Sequence, residues 1–220
     1  MQPFILTFKL AIIVTIILLI ISIPLAHWIA FSRSRFRYIV ETLVSMPLVL
    51  PPTVIGFYLL VAFSPQNFLG HFFESVLGIR VVFSFTGLVI GSVIFSLPFM
   101  LNPIKAGMQN FSINLVEASY CLGKTPVETL RHVILPGIKP AVLTGMVMAF
   151  AHTIGEFGVV LMIGGNIPDQ TQVASIALYN EVEALNYHTA NLYALALVGI
   201  SFFTLLVFYY LNRPHAQHQN

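Results

Sequence analysis

"FILTFKLAIIVTIILLIISIPLAHWIAF", Phe4 to Phe31, runs for 28 residues with one charge, Lys9. A hydrocarbon core about 30 Å thick is crossed by roughly 20 helical residues at ~1.5 Å each, so this run alone is long enough to span a membrane. It is too long for a secretory signal, carries only Lys9 as a basic residue, and lacks a small-x-small cleavage pattern, so it reads as a retained span. Runs of the same kind recur at Tyr38–Phe63, Val81–Pro103, Pro140–Ile163 and Thr189–Leu211.

Composition agrees with this reading. Hydrophobic residues make up 57% of the 220-residue chain and charged residues 8%, against about 25% charged in an average soluble domain. The runs are continuous and aliphatic where a membrane barrel would need short alternating strands. The expectation is an all-α integral membrane protein, a single integral-membrane domain over residues 1–220 with about five transmembrane helices. Cys121 is the one cysteine, so no internal disulfide is possible.

Lys and Arg collect in cytoplasmic connections, which orients the spans. "SRSRFR" holds Arg33, Arg35 and Arg37; the connection at about 104–139 holds Lys105, Lys124, Arg131 and Lys139; the tail adds Arg213. The second connection has only Arg80, and Gly164–His188 has no Lys or Arg but carries Asp169, Glu181 and Glu183. The N-terminus is therefore expected outside and the C-terminus in the cytoplasm. The basic residues suit topology and lipid headgroups; they are too few for a nucleic-acid face.

The longest polar stretch, "EASYCLGKTPVETLRHVILP" (Glu117–Pro136), lies in the expected cytoplasmic connection. Within it "ASYCLGKT" approximates a phosphate-binding loop, but the residues before Gly123 contain no glycine, no strand precedes it, and Pro126 removes an amide donor. Local chemistry predicts two short helices instead. Ile113–Leu122 forms the first, ended by a left-handed Gly123. Thr125, Pro126 and Glu128 then start the second as cap, first position and third position of a capping box. That second helix is expected to stop before Pro136, with Leu135 extended.

Glu117-Ala118-Ser119, Gly123 four positions on, and Val133-Ile134-Leu135-Pro136 at the matching distance resemble the EAA motif of binding-protein-dependent ABC importer permeases. Ser119 stands in place of the second Ala and Val133 in place of Ile. The resemblance implies a type I importer permease fold and makes Glu117, Ala118, Ser119, Gly123, Leu135 and Pro136 the elbow that couples to a separate ATPase. It also implies no cofactor in this chain, with ATP and magnesium on that partner. A second copy of the chain, two ATPase subunits and a periplasmic binding protein complete the assembly that the resemblance implies, set in a bacterial inner membrane with lipid around it and no nucleic acid.

"PLVLPPTVIGFYLL" (Pro47–Leu60), "HTIGEFGVVLMIGGNIPDQT" (His152–Thr171) and "ALYNEVEAL" (Ala177–Leu185) look like the molybdate branch of that superfamily. Sulfate, tungstate and thiosulfate permeases share versions of the GEFG stretch, so sulfate and tungstate are the alternative substrates. Pro51 and Pro52 leave amide positions empty in span two, either lining an anion path or merely kinking a helix. Glu156 is the acidic residue deep in span four, with His152 four residues earlier and expected on the same face. An interhelical hydrogen bond or a gate lining, a proton relay, and a metal pair are its readings. Gly155 and Gly158 are expected to allow close helix approach, and Asn166 marks a turn facing the pathway. Segment 164–188 faces the binding protein by resemblance, or simply caps the membrane surface.

The rival from another class is a haem or metal redox protein using His27, His152 and His188. Haem ligation needs facing His pairs at similar depth, yet His27 and His188 fall near opposite membrane faces. No HExxH is present either.

Overall fold

The computed structural model describes residues 2–211, all of whose regular elements are helical. Arg213 and the C-terminal "HAQHQN" lie outside the described residues. Helix α1 (Gln2–Phe31) buries Leu10, Ala11, Val14, Leu18, Ala26 and Ile29 along one stripe. That stripe packs on α5 (Phe85–Gln109) and α9 (Lys139–Gly155), and these two pack on each other, giving a three-helix core. Small residues let α5 and α9 approach closely: a Cβ on Gly107 would lie 2.6 Å from the Ala141 Cβ, and one on Gly145 2.8 Å from the Met100 carbonyl oxygen.

Among the described residues, three helices are long and apolar enough to cross a membrane, or up to five if each of two bent helix pairs counts as one span. The first bent pair replaces the continuous span expected at 38–63. Helix α2 (Phe36–Ser45) runs through a 3-10 turn at Met46–Leu48, and α3 (Pro52–Ala62) restarts at an angle of 113°. Pro47, Pro51 and Pro52 cannot donate to a helical ladder, and Pro51 is extended (φ −56°, ψ 136°), so the chain turns there.

Span three differs at both ends from the expected 81–103. It begins at Phe85 after Ser84 caps it, the Ser84 Oγ accepting from the Gly87 N–H at 3.2 Å. It continues past Pro98 and Pro103 to Gln109, because Leu101, Ile104 and Met108, each no more than 1% exposed, anchor its last turns in the core. Span four, expected at 140–163, is α9 followed by a break at Glu156 and Phe157 and then α10 (Gly158–Gly164). Span five, expected at 189–211, is α12 (Tyr187–Leu211). Two further helices, α4 (Phe68–Leu77) and α11 (Ala174–Glu183), lie at the end of the bundle where α1 begins; Thr7 Oγ1 of α1 accepts from the Ala174 N–H at 2.8 Å.

At the opposite end, α6 (Ile113–Cys121), α7 (Pro126–Thr129), a π-helical turn (Leu130–Ile134) and α8 (Leu135–Gly137) form the elbow between α5 and α9. The expected stop before Pro136 does not occur. Leu135 is helical (φ −58°, ψ −44°), and its N–H bonds to the Leu130 carbonyl, five residues back. The wider π turn eases the clash that a proline ring makes with the preceding turn of an α-helix, and burial of Ile134 and Ile138 holds the segment against the core. The chain then bends by 78° into α9.

Candidate functional site

The elbow is built by local hydrogen bonds. Gly123 adopts φ +79° and ends α6 in a Schellman arrangement, with the Gly123 N–H on the Tyr120 carbonyl (2.9 Å) and the Lys124 N–H on the Ser119 carbonyl (3.1 Å). The Thr125 N–H donates to Glu128 Oε2 at 2.8 Å, its hydroxyl donates to the same oxygen at 3.0 Å, and the Glu128 N–H donates to Thr125 Oγ1 at 3.3 Å. The bond from the Thr125 backbone, then that from its hydroxyl, hold the Glu128 carboxyl below its ordinary pKa. The amides of Gly123, Lys124, Thr125 and Glu128 are all engaged within the chain, so these four offer no phosphate cradle.

Ser119, the departure from the family motif, is buried and hydrogen-bonded to buried Thr129, Oγ to Oγ1, at 2.9 Å. This clasp fixes the angle between the two arms. Nothing in the sequence singled out Thr129; its relation to Ser119 becomes visible only once the Gly123 corner folds the arms together. Phe111, assigned no role from sequence, lies over Gly137, whose added Cβ would meet the ring at 2.2 Å. Of the motif residues, Glu117 and Ala118 are exposed, Leu135 is half-buried and Pro136 is exposed. Around them Leu115 (53%), Leu122 (82%) and Val127 (73%) present apolar side chains outward. At the core of the same end, Lys105 of α5 forms an ion pair with Glu41 of α2.

The second locus is the break in span four. Pro52, Thr53, Phe95, Ala151, His152, Gly155, Glu156, Phe157 and Gly158 line one cavity of about 530 Å³. Thus Pro52, Gly155 and Glu156 are brought together, with Pro51 as the cap of α3 beside them. Asn166 is not in this group. It occupies a left-handed turn (φ 54°), donating to Asn180 Oδ1 at 3.0 Å and accepting from Gln172 Nε2 at 3.1 Å, and so braces the loop between α10 and α11.

Close approach is made by Gly158, where an added Cβ would lie 2.7 Å from the Pro52 Cβ, and by Gly56, at 2.7 Å from the Met162 Cβ. Gly155 does not serve this purpose, since nothing lies within 4 Å of its added Cβ. The Glu156 side chain meets the Ser92 hydroxyl of α5 across the helix interface, but neither carboxylate oxygen, both sealed from solvent, makes a well-formed hydrogen bond. A well-formed interhelical bond is made by its backbone carbonyl, which accepts from Ser175 Oγ at 2.6 Å, because helix α9 ends at Gly155 and Glu156 is extended (φ −68°, ψ 133°). That break also ends the i, i+4 register assumed between His152 and Glu156.

His152 is held by partners the sequence did not indicate. Its Nδ1 lies 2.9 Å from Ser96 Oγ, Ser96 lies 3.1 Å from Thr153 Oγ1, and its ring stacks on Phe99 at 3.9 Å. His27 packs on Phe31 at one end of the bundle and His188 starts α12 at the other, so the three histidines do not assemble. Among the described residues no group of three or more His, Cys, Asp or Glu could hold a metal ion.

With these two loci described, similarity to known proteins is informative. Residues 19–214 match the family "Binding-protein-dependent transport system inner membrane component", and the chain belongs to it. It is 40% identical over 205 residues to the molybdenum transport system permease protein ModB of Azotobacter vinelandii, covering 93% of this chain and 90% of that one. It is 32% identical to the probable sulfate transport system permease protein cysT of Chlorella vulgaris, covering 82% of this chain and 68% of the other. A bacterial alginate ABC transporter, solved in complex with its pentasaccharide-bound periplasmic protein, shares the fold at a TM-score of 0.78 and 18% identity, covering 96% of this chain and 77% of that one. The chain is a permease of a binding-protein-dependent transport system, a transport subunit rather than an enzyme.

Proposed function

We propose that this chain is the membrane subunit that carries molybdate from periplasm to cytoplasm by alternating access. The observation that carries the substrate is the 40% identity to a molybdenum permease over nearly the whole chain, above the 32% to the sulfate permease. In this reading two copies enclose the pathway, since one chain of about five spans is too small to surround a solvated anion. Two ATPase subunits, which carry the ATP and magnesium, seat on the elbows through Glu117, Ala118, Gly123 and the exposed Leu115, Leu122 and Val127. A periplasmic molybdate-binding protein docks at the end bearing α4 and α11. The N-terminus then lies outside and the C-terminus inside.

Pro51, Pro52, Gly155 and Glu156 belong to the pathway side of each copy, at the cavity where α3 begins. The positive end of α3 faces into that cavity, which favours an anion. Asn166 shapes the outer loop above it. ATP binding draws the elbows together and, through the α5–α9 core, opens the outer side.

The test is uptake into proteoliposomes holding the permease, its ATPase and its binding protein. ATP-dependent molybdate uptake, competed by tungstate and little affected by a tenfold excess of sulfate, is expected. Preference for sulfate moves the substrate assignment while leaving the importer; no ATP-dependent uptake of either anion overturns the reading.

A further inference from the structure

One proton arrangement satisfies all three hydrogen bonds around His152 at once. Thr153 donates its only hydroxyl proton to the Ala149 carbonyl at 2.8 Å. Its oxygen can therefore only accept from Ser96, at 3.1 Å, which commits the Ser96 proton. Ser96 Oγ can then only accept from His152 Nδ1, at 2.9 Å, so Nδ1 carries a hydrogen. A neutral imidazole has one N–H, and here it is used. Nε2 makes no hydrogen bond and is not sealed from solvent; it belongs to a ring that lines the cavity shared with Pro52 and Thr53.

A neutral His152 thus shows the cavity a lone pair, which repels an oxyanion that has only acceptor oxygens. We infer that His152 is a binding contact for the transported oxyanion, made when Nε2 takes up a proton from water on the outer side as the anion enters and gives it back when the anion leaves. The inference rests on the oxyanion-permease reading above. The anion supplies the counter-charge that makes an imidazolium tolerable between Phe95 and Phe99, where an unpaired charge would be costly. The α3 N-terminus adds its partial positive charge from across the cavity.

No other charge substitutes for this one. Glu156 lines the cavity, but its carboxylate oxygens are sealed away from it. From α3 and α5 the lining residues are Pro52, Thr53 and Phe95, none titratable. On α1, Lys9 sits over the Phe85 ring and His27 against Phe31. On α11 and α12, Tyr179 bonds Glu183, Tyr193 stacks on Phe4 and His188 is exposed.

Ser96 is a positioning residue in this scheme, because it fixes which nitrogen holds the hydrogen. The test compares uptake by the complete reconstituted transporter, loaded with molybdate and in parallel with sulfate, at outer pH 6, 7 and 8. Normalising each variant to the unmutated complex removes the pH dependence of the ATPase and binding protein. Against His152→Gln, whose amide donates at every pH, the unmutated complex is expected to lose at least fivefold in relative rate between pH 6 and pH 8. Ser96→Ala frees the ring to carry its hydrogen on Nε2 while neutral, so its rate relative to the unmutated complex is expected to rise by at least threefold over the same range.

A merely structural role lowers Ser96→Ala by the same factor at all three pH values, and that outcome overturns the inference. So does a pH-independent ratio for His152→Gln. Should His152→Gln fail to co-purify with the ATPase, the Ser96→Ala ratio decides alone, since that change removes a single oxygen. Failure of the unmutated complex to move either anion overturns the oxyanion reading of the permease, and this inference with it.

Discussion

Ser119 and Thr129 join the two arms of the elbow through a hydroxyl–hydroxyl bond of 2.9 Å, buried at 5% and 0% exposure. An angle between two short helices transmits force only if it resists bending, and this bond lies in the crease. Thr129→Val leaves the Ser119 hydroxyl buried with its partner gone, at a cost of about 1–3 kcal/mol. The expected outcome is a lower midpoint for thermal unfolding of the purified complex and several-fold slower uptake per ATP hydrolysed. Ser119→Ala with Thr129→Val is expected to be milder than the sum of the single changes; simple additivity would show that the two hydroxyls act independently.

Gly123 sits at φ +79° with open space where a Cβ would go, so its replacement tests backbone strain rather than collision. Gly123→Ala is expected to cost about 1–2 kcal/mol of local stability, and Gly123→Asn less, since asparagine visits this conformation more readily. Co-purification of the ATPase with each variant measures the effect. Equal loss for Ala and Asn would point to a direct contact at this position instead of a conformational requirement.

The corner and the capping box were readable in the sequence because both are local. Gly123 ends a helix whatever surrounds it, and Thr125, Pro126 and Glu128 satisfy one another within a turn. What was not readable depends on distant chain. Pro136 stays helical because a π turn precedes it and the core holds Ile134 and Ile138. Gly155 and Gly158 both read as points of close helix approach within a continuous span, but the break between them, and which glycine meets a neighbour, were decided by contact with α3, about a hundred residues earlier. His152 finds Ser96 across a separation of 56 residues. Helix α4 escaped notice because its 10 residues are too few to read as a span.

Glu128 gives the elbow a defined response to acid. Its carboxyl is held below the ordinary value of 4.5 by the Thr125 N–H and hydroxyl. A carboxyl depressed in the folded state contributes stability that is fully present above the unfolded value and is lost as pH falls through the folded value. The α7 start is therefore expected to be intact at neutral pH and to loosen only below about pH 4.5. Hydrogen exchange at residues 127–130, corrected for intrinsic rates, follows this; Glu128→Gln should remove the acid response, and an unchanged profile would count against the cap.

Two glycines flanking Glu156 make opposite predictions. A Cβ at Gly158 would stand 2.7 Å from the Pro52 Cβ, at the packing point between α10 and the start of α3. Backbone and proline ring are both stiff there, so Gly158→Ala must push α3 outward and widen or tilt the cavity mouth. A cost of about 1–3 kcal/mol and at least tenfold slower uptake are expected, with the complex still assembling because the α1–α5–α9 core is untouched. Gly155 has nothing within 4 Å of an added Cβ and ends α9 just before the extended Glu156, so Gly155→Ala is expected to change uptake by less than twofold. The paired measurement separates packing from flexibility as the reason for the GEFG pattern. If Gly155→Ala is the damaging change and Gly158→Ala the silent one, the break works as a hinge that moves during transport, and the contact between α3 and α10 is not what shapes the cavity.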